Sequence, residues 1–305
     1  MIIDALSGSI PVPDAFAAPE AGLGRLRGYR EHFMGAERPR TRAEMLAAMD
    51  GAYQEALTRT PSEAEFLAKI DDAGIDVAAV YTENYETRLG AVNASNDTVA
   101  EWVSHNPDRF IGIAGIDPWQ DDSAAEVDRA VHELGLKGVL LSPFKQGLAA
   151  GHPRLARVFA RCEALGVPVM VHCGVNWFSE TAYDLGHPKG IDDIAMGFPD
   201  LKLVAVHAGW PWVLDMMVIA WRHPNVYIDI SAHRPKHFTI PEAGWGPLLH
   251  YGSRMLADRV IFGTTWTLLR TEPKELVDET RTLPLSDAVL DKWMGTNAAR
   301  LFGLD

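Results

Sequence analysis

The chain has 305 residues, of which 47% are hydrophobic and 23% are charged, and its formal net charge at pH 7 is −13. Length and composition are typical of one large α/β domain, or two small ones, with a substantial core. Such an acidic chain is a poor candidate for binding nucleic acid or an anionic membrane surface. A small anionic substrate is not excluded, because a pocket can be locally positive.

Neither the cysteines nor the start of the chain indicates secretion. The two cysteines, Cys162 and Cys173, suggest neither a disulfide framework nor a metal site by their spacing. The opening MIIDALSGSI lacks the basic segment and the long apolar segment of a signal peptide. No apolar run approaches the ~20 residues that span a bilayer. We therefore expect a cytoplasmic protein.

The first 60 residues contain one predicted strand, a long excursion and one predicted helix. Residues 1–5 are predicted as a short apolar strand and residues 6–10 as a loop. Residues 11–40 are rich in Pro, Ala, Gly and Arg and show no clear periodicity, so we interpret them as an excursion over the mouth of the fold. Residues 41–56 open with a capping-box pattern and are predicted to be helical.

From residue 61 onward, buried apolar strands alternate with helices. Strands are predicted at 75–81, 110–116, 138–141, 168–174, 203–209, 225–230 and 259–263. Helices are predicted at 61–70, 94–106, 123–134, 153–165, 191–198, 211–222, 243–256, 272–280 and 286–302. Strict alternation requires parallel strands, so the pattern predicts a (β/α)8 TIM barrel, with residues 1–305 as a single domain. An open doubly wound sheet is the alternative, but no glycine-rich phosphate loop follows an early strand.

Two of the predicted strands share an unusual ending. PVMVHCG at 168–174 and LVAVHAG at 203–209 each carry an apolar run that ends in a histidine, His172 or His207. In parallel α/β folds the polar groups at the carboxyl ends of the strands form the site, so we expect both histidines in one functional pocket. The alternative is a pair of satisfied core histidines.

Polar and aromatic residues follow several other strands and complete a candidate site. Lys145 would bind a substrate carboxylate as a point charge. Four tryptophans follow strand ends and are consistent with an apolar pocket for a small organic ring. They are Trp177, Trp210, Trp212 and Trp266, and we expect at least one of Trp177, Trp210 and Trp266 to touch the ligand. Each residue taken singly has an alternative role in packing or at the surface. The candidate substrate-binding residues are Glu83, Lys145, Asn176, Trp177, Trp210, His233 and Trp266.

Similarity to a known family is carried by six segments, MIIDA, PVMVHCG, DLKLVAVHAGWPW, HPNVYIDIS, DRVIFGTTW and TNAARLFGL. Together they resemble the amidohydrolase superfamily, and within it the branch of aminocarboxymuconate-semialdehyde decarboxylase-like enzymes and small hydrolases. The resemblance covers essentially the whole chain. It implies a (β/α)8 barrel that acts on a small molecule, usually carries one divalent metal and forms a homodimer.

The metal site that this resemblance implies is incomplete. The first strand of the family normally ends in His-x-His, and those positions hold Leu6 and Gly8. His172 and His207 match the later histidines, whereas Thr265 stands where the family has an aspartate that is both metal ligand and general base. A catalytic zinc needs about three protein ligands. The sequence therefore predicts no metal and no other cofactor; the alternative is a divalent metal such as zinc in a rebuilt ligand set.

These observations predict a metal-independent, amidohydrolase-like enzyme that hydrolyses or otherwise cleaves a C–O or C–C bond of a small cyclic or unsaturated carboxylic acid. His172 and His207 would be acid/base or carbonyl-polarising groups, because imidazole titrates near neutral pH. Asp229 would orient or replace one of them, and Thr265 fills the remaining catalytic position. The alternatives are a metal-dependent decarboxylase or hydrolase and a non-catalytic small-molecule-binding barrel, and the substrate stays open.

Overall fold

The computed structural model describes residues 1–9, 61–90, 94–176, 181–269 and 271–304. Its strands lie side by side in sequence order and form one parallel sheet of eight strands. These strands are Ile3–Ser9 (β1), Val77–Tyr81 (β2), Phe110–Gly115 (β3), Gly138–Leu141 (β4), Val169–His172 (β5), Leu203–Val206 (β6), Val226–Asp229 (β7) and Val260–Ile261 (β8).

Helices connect the strands and cover the outside of the sheet. Within the described ranges they are Glu63–Asp72 (α1), Glu86–Leu89 (α2), Asn96–His105 (α3), Ser123–His132 (α4), Pro143–Gln146 (α5), Ala156–Leu165 (α6), Lys189–Gly197 (α7), Val213–Arg222 (α8), Gly246–Gly252 (α9), Trp266–Leu269 (α10), Pro273–Arg281 (α11), Asp287–Asp291 (α12) and Asn297–Phe302 (α13). None of them has both the length and the apolar character needed to cross a membrane.

Backbone hydrogen bonds bridge the gap between the last strand and the first. Ala5 N donates to Phe262 O at 2.9 Å, and Thr265 N donates to Leu6 O at 2.8 Å. We call this contact between β1 and the end of β8 the seam. With the seven neighbouring strand pairs, it makes a nearly closed barrel surrounded by helices. The predicted (β/α)8 architecture is therefore confirmed.

Apolar side chains are buried on both faces of the barrel strands, as a parallel sheet covered by helices requires. Val169 and Val171 of β5 join the layer between strands and helices, whereas Met170 joins the cluster inside the barrel. His172 comes directly after Val171, so the alternation of side chains along a strand directs it inward. The strand pattern itself therefore places this histidine above the barrel core.

Strand β1 is longer than the sequence predicted. It continues through Ser9, whereas residues 6–10 were expected to be a loop. The register between β1 and β2 shifts between Asp4 and Gly8, and pairing resumes with Gly8 opposite Val80. Since a bulge breaks the two-residue period, and small polar residues follow it, an apolar pattern cannot reveal this part of the strand.

The predicted helix over 286–302 is interrupted in the structure. A π-helical turn, Lys292–Thr296, separates α12 from α13. Gly295 in this turn lies against the start of the chain, where an added Cβ would be 2.1 Å from the carbonyl oxygen of Met1. The turn therefore lets the C-terminal region pack closely against β1.

Several other predicted elements differ in extent. The four-residue helices α2, α5 and α10 follow β2, β4 and β8 and are too short to show a helical period in the sequence. The predicted helix over 243–256 is confined to α9. The predicted excursion over 11–40 and helix over 41–56 lie outside the described residues, so the assignment of the whole chain to one domain stays a prediction.

Candidate active site

Polar side chains from several strand ends meet above the barrel core. Glu83 follows β2, Lys145 follows β4, His172 ends β5, His207 follows β6 and Asp229 ends β7. They are close enough for the charges of Glu83 and Lys145 to affect the ionisation of the imidazoles. The structure thus brings these five predicted site residues to the same end of the barrel.

The two histidines stand side by side, with ring centroids 5.2 Å apart and an interplanar angle of 76°. Alternation along β6 would direct His207 to the outer layer, because Val204 and Val206 fill the inside of the barrel. Instead His207 has φ 70° and Ala208 has φ 54°. This left-handed backbone is uncommon for residues with a Cβ, and it turns the imidazole of His207 toward His172.

The side chain of His207 is held by the loop after β7. Its Nδ1 lies 3.1 Å from the carbonyl oxygen of Ser231 and 3.0 Å from the Ser231 hydroxyl. A carbonyl oxygen can only accept a hydrogen bond, so we assign the proton of the neutral ring to Nδ1. The other nitrogen, Nε2, is then a hydrogen-bond acceptor that can receive a proton.

Asp229 contacts both the backbone of His207 and the serine that holds its side chain. Its Oδ2 accepts hydrogen bonds from the backbone N–H of His207 and of Ser231, each at 3.2 Å, and from the Ser231 hydroxyl. Its Oδ1 is buried with no hydrogen-bond partner among the described residues. That oxygen packs on Gly263, where an added Cβ would lie only 2.2 Å away. These contacts are those of a residue that positions His207.

Burial is the largest influence on the ionisable groups of the site. It lowers the pKa of His172 well below its ordinary 6.5, and the neighbouring His207 lowers it further. Burial also lowers the pKa of His207 to about 4, although the bond to the Ser231 carbonyl and the charge of Glu83 raise it. Burial raises the pKa of Asp229 to about 7, against its hydrogen bonds, which lower it. Both imidazoles are therefore neutral at neutral pH.

Glu83 and Lys145 form a buried ion pair beside the histidines. Lys145 Nζ donates to Glu83 Oε2 at 2.5 Å, and the Ser142 hydroxyl donates to Oε1. Burial alone would raise the pKa of Glu83, but the charge and the hydrogen bonds of Lys145 and Ser142 outweigh it and lower the pKa. The carboxylate is thus ionised, and the charge of Lys145 is balanced within the protein.

Aromatic rings line the same region. The ring centroids of Phe144 and His172 are 4.4 Å apart. The ring centroid of His233 lies 6.3 Å from that of His207. It lies 5.7 Å from the ring centroid of Trp210 and 4.7 Å from that of Trp245. The indole N–H of Trp210 donates to a backbone carbonyl at 3.0 Å, which fixes the orientation of its ring. Aromatic rings therefore flank the histidines in the described part of the site.

Three other predicted site residues make their observed contacts elsewhere. Trp266 packs against Phe66 of α1 with ring centroids 5.0 Å apart, in the layer between strands and helices. Thr265 is buried, and its hydroxyl donates to the preceding carbonyl at 2.8 Å. Asn176 donates to a loop carbonyl at 2.7 Å. Trp177 lies outside the described residues.

Sequence reasoning did not single out three residues of this site, Ser231, Phe144 and Trp245. The spacing of Asp229 and Ser231 was a usable signal for the first, because residues two apart share a face of an extended segment. No local pattern marks Phe144 or Trp245. They reach the histidines only because α5 and the start of α9 pack over the strand ends.

A third buried carboxyl group, Asp4, lies at the seam. Its Oδ1 accepts from Thr264 N at 2.9 Å, and its Oδ2 accepts from the Thr264 hydroxyl at 2.5 Å. Burial raises the pKa of Asp4 from 3.8 to about 6, although these hydrogen bonds lower it. The folded protein therefore holds a proton on Asp4 to a higher pH than the unfolded chain does.

We expect this proton to appear in the pH dependence of stability. A carboxyl group whose pKa is higher in the folded state weakens the fold as pH rises from the unfolded value to the folded value. Relative to Asp4→Asn, the wild-type free energy of unfolding should thus fall by about 2 kcal/mol between pH 4 and 7. Denaturant unfolding at several pH values measures this difference.

The matched control for this measurement is Asp72→Asn, which removes an exposed carboxylate at the end of α1. Its stability relative to wild type should vary much less over the same pH range, because an exposed carboxylate has no burial cost. Parallel pH curves for wild type and Asp4→Asn would show that burial does not hold a proton on Asp4.

The side chains at the described strand ends do not form the divalent metal site that the family resemblance implies. In the part of the chain that the structure covers, no group of three or more His, Cys, Asp or Glu side chains could hold a metal ion. Leu6 and Gly8 stand at the expected first-strand positions, and an added Cβ at Gly8 would lie 2.9 Å from Thr267 Cγ2. Two imidazoles fall short of the three protein ligands of a catalytic zinc.

A buried polar site at the carboxyl ends of eight parallel strands defines this chain as a (β/α)8-barrel enzyme. The family model for amidohydrolases matches residues 39–304, and the chain belongs to this family. The resemblance predicted from the sequence is therefore confirmed, and the enzyme is of the decarboxylase or amidohydrolase type.

The similar proteins include decarboxylases. Gamma-resorcylate decarboxylase from Rhodococcus jostii is 27% identical over 266 residues, 72% of this chain and 78% of that protein. 2-Amino-3-carboxymuconate-6-semialdehyde decarboxylase from Dictyostelium discoideum is 34% identical over 110 residues, covering only 33% of this chain and 30% of that protein. The structure of a dihydroxybenzoic acid decarboxylase from Polaromonas superposes with a TM-score of 0.70 at 18% identity, covering 99% of this chain and 97% of that chain.

The prediction that the chain uses no cofactor is contradicted by these similar structures. The Polaromonas decarboxylase contains bound manganese together with the inhibitor 2-nitroresorcinol, and two further matching structures also contain manganese. The prediction rested on the loss of the expected ligands at Leu6, Gly8 and Thr265, and gave a rebuilt ligand set only as the alternative. The described residues still do not supply a complete ligand set, so we assign no catalytic step to a metal.

Proposed function

We propose that this chain is a decarboxylase of small aromatic carboxylic acids, which breaks the bond between the ring carbon and the carboxylate. Its relatives named as decarboxylases support this reaction class, one of them over 72% of the chain. The observation that carries the proposal is the pair of buried, neutral imidazoles in a mouth lined by aromatic rings.

A buried site flanked by aromatic rings suits decarboxylation for a physical reason. A carboxylate concentrates its charge on two oxygens, whereas the transition state spreads that charge into the ring and the departing CO2. Removing water therefore destabilises the reactant more than the transition state. Burial has already kept His172 and His207 uncharged, so the same surroundings would act on a bound carboxylate.

The reaction needs a group that supplies one proton. The C–C bond breaks, CO2 leaves, and the electron pair left on the ring carbon takes up a proton. His207 suits this role because Ser231 occupies its Nδ1 and leaves Nε2 as an acceptor. Nε2 would take one proton per turnover from solvent or from the substrate and pass it to the ring carbon. The aromatic face of Trp210, which is partly exposed, would pack against the substrate ring.

Hydrolysis fits the site less well. It requires a base that activates water, and the aspartate that the family places after the last strand is replaced by Thr265. The hydroxyl of Thr265 already donates to a backbone carbonyl at 2.8 Å and is buried. Decarboxylation needs no nucleophilic water, so the loss of this carboxylate disfavours hydrolysis more than C–C cleavage.

The test is a substrate panel run in D2O. Hydroxybenzoic acids and matched aromatic lactones are each incubated with the purified protein, with and without added manganese. We expect CO2 release from one or more acids, with one deuterium at the ring carbon that carried the carboxylate. Hydrolysis of a lactone without CO2 release from any acid would contradict the proposal.

A further inference from the structure

Gly263 lies on the inner face of the barrel wall, just after β8. The side chain of Ile261 belongs to the cluster inside the barrel, whereas that of Phe262 belongs to the outer layer. Continuing this alternation places position 263 on the inner face again. Asp229 pairs with Ile261, and Ser231, two residues further along, lies beside Gly263. A side chain at position 263 would therefore point into the candidate site.

The space beside Gly263 is filled by the two residues that hold the imidazole of His207. An added Cβ would lie 2.2 Å from Asp229 Oδ1 and 3.0 Å from Ser231 Cβ. The other oxygen of this carboxyl group, Oδ2, accepts from the backbone N–H of His207 at 3.2 Å. The Ser231 hydroxyl lies 3.0 Å from His207 Nδ1. Gly263 thus adjoins both supports of the histidine.

Lack of space, and not backbone conformation, requires a glycine at this position. Gly263 does not have a positive φ, the region of backbone conformation that favours glycine. An alanine could therefore adopt the same backbone, but its methyl group would overlap Asp229. Atoms that are not hydrogen-bonded pack at about 3.5–4.0 Å, and 2.2 Å is far below this distance. The overlap must be relieved by movement of either the strand end or the carboxyl group.

Hydrogen bonds hold the strand end in place before and after this position. The carbonyl of Phe262 accepts from Ala5 N at 2.9 Å. Thr264 N donates to the buried Oδ1 of Asp4 at 2.9 Å. Moving the strand end would break these bonds in the seam, whereas the Oδ1 of Asp229 has no hydrogen-bond partner to lose. An added methyl group would therefore displace the carboxyl group and not the strand.

We propose that Gly263 is a positioning residue for His207, a role that rests on the decarboxylation proposed above. Its missing side chain lets Asp229 and Ser231 hold the imidazole with Nε2 directed at the substrate. His207 reaches the site only with a left-handed backbone, so the direction of its ring depends on these supports. A displacement of about 1 Å in a reacting group can lower a rate by about 100-fold.

The activity of Gly263→Ala tests this role. With an acid from the substrate panel, kcat should fall by about 10–100-fold and KM should change by less than about 3-fold, because the aromatic rings stay in place. Gly112→Ala is the matched control, since an added Cβ there would lie 2.4 Å from Leu136 Cδ2 in the outer layer. The control should lose stability in denaturant unfolding but keep the kcat of wild type.

A double-mutant cycle shows whether Gly263 acts through Asp229. Asp229→Ala should itself lower kcat, and it also empties the space into which a methyl group at position 263 would point. Adding Gly263→Ala to this variant should therefore lower kcat by less than about 2-fold more. Losses that multiply in the double variant would overturn the proposal.

Nuclear magnetic resonance of the imidazole tests the same contact without a substrate. The Nδ1 proton of His207 is assigned by its absence from His207→Gln, and it should exchange slowly because it is bonded to the Ser231 carbonyl. Its signal should shift or disappear in Gly263→Ala and stay in place in Gly112→Ala. An unchanged signal or an unchanged kcat in Gly263→Ala would overturn the proposal. If no acid released CO2, the proposed function would fail, and this signal would still decide whether Gly263 positions His207.

Discussion

Replacing Glu83 by glutamine should lower the free energy of unfolding by about 3–5 kcal/mol, because it removes the carboxylate that pairs with the buried ammonium group of Lys145. Only 15% of the Lys145 side chain and 11% of the Glu83 side chain are exposed, and their charged atoms are 2.5 Å apart. The double variant Glu83→Gln, Lys145→Met should recover much of the loss, because it removes both charges. Denaturant unfolding of the single and double variants gives both values.

An exposed ion pair provides the control for this prediction. Lys69 and Glu272 also approach within 2.5 Å, but the Glu272 side chain is mostly exposed. Glu272→Gln should cost no more than about 1 kcal/mol, because solvent screens exposed pairs. If Glu83→Gln were no more destabilising than Glu272→Gln, the charge of Lys145 would not depend on Glu83.

The largest expected effect on activity is that of His207→Gln, which should lower kcat by about 10²–10⁴-fold if Nε2 carries the proton to the ring carbon. KM should change little, because the aromatic rings that would hold the substrate remain. Ser231→Ala should lower kcat by about 10-fold, since it removes the hydroxyl near Nδ1 but keeps the backbone carbonyl. Both effects are measured with an acid from the substrate panel.

The control for this series is His132→Gln on α4, where the imidazole is mostly exposed. Its kcat should equal that of wild type. A His207→Gln variant that kept full kcat would exclude the proposed proton transfer by His207. The reaction class would not be affected, because CO2 release by the wild-type protein tests it independently.

The sequence predicts the fold well because its strands are buried on both faces. Runs such as the one before His172 are apolar at every position, and their alternation with helices admits few topologies. The extension of β1 through Ser9 escapes prediction, because pairing with β2, and not the local residues, defines it. The π-helical turn at Gly295 escapes for the same reason, since its close contact is with Met1 at the other end of the chain.

A residue of the candidate site can be predicted from the sequence where the two-residue period of a strand alone determines that its side chain points into the barrel. His172 points inward because it continues the alternation of β5. His207 reaches the same place only through a φ of 70°, a conformation that no local pattern in HAGW specifies. Trp266 shows the opposite failure, because a position just after a strand did not reveal that its ring packs outward on Phe66.

The seam has a consequence for how the chain can fold during synthesis. Apart from the seam, all contacts between strands join consecutive strands, so β1 to β7 can assemble in order as they leave the ribosome. The bonds between Asp4 and Thr264 join residues 260 positions apart. Until the last strand is made, β1 is an edge strand with unpaired backbone groups, which favours pairing with other chains. Nascent chains released before Thr264 should therefore be prone to aggregate.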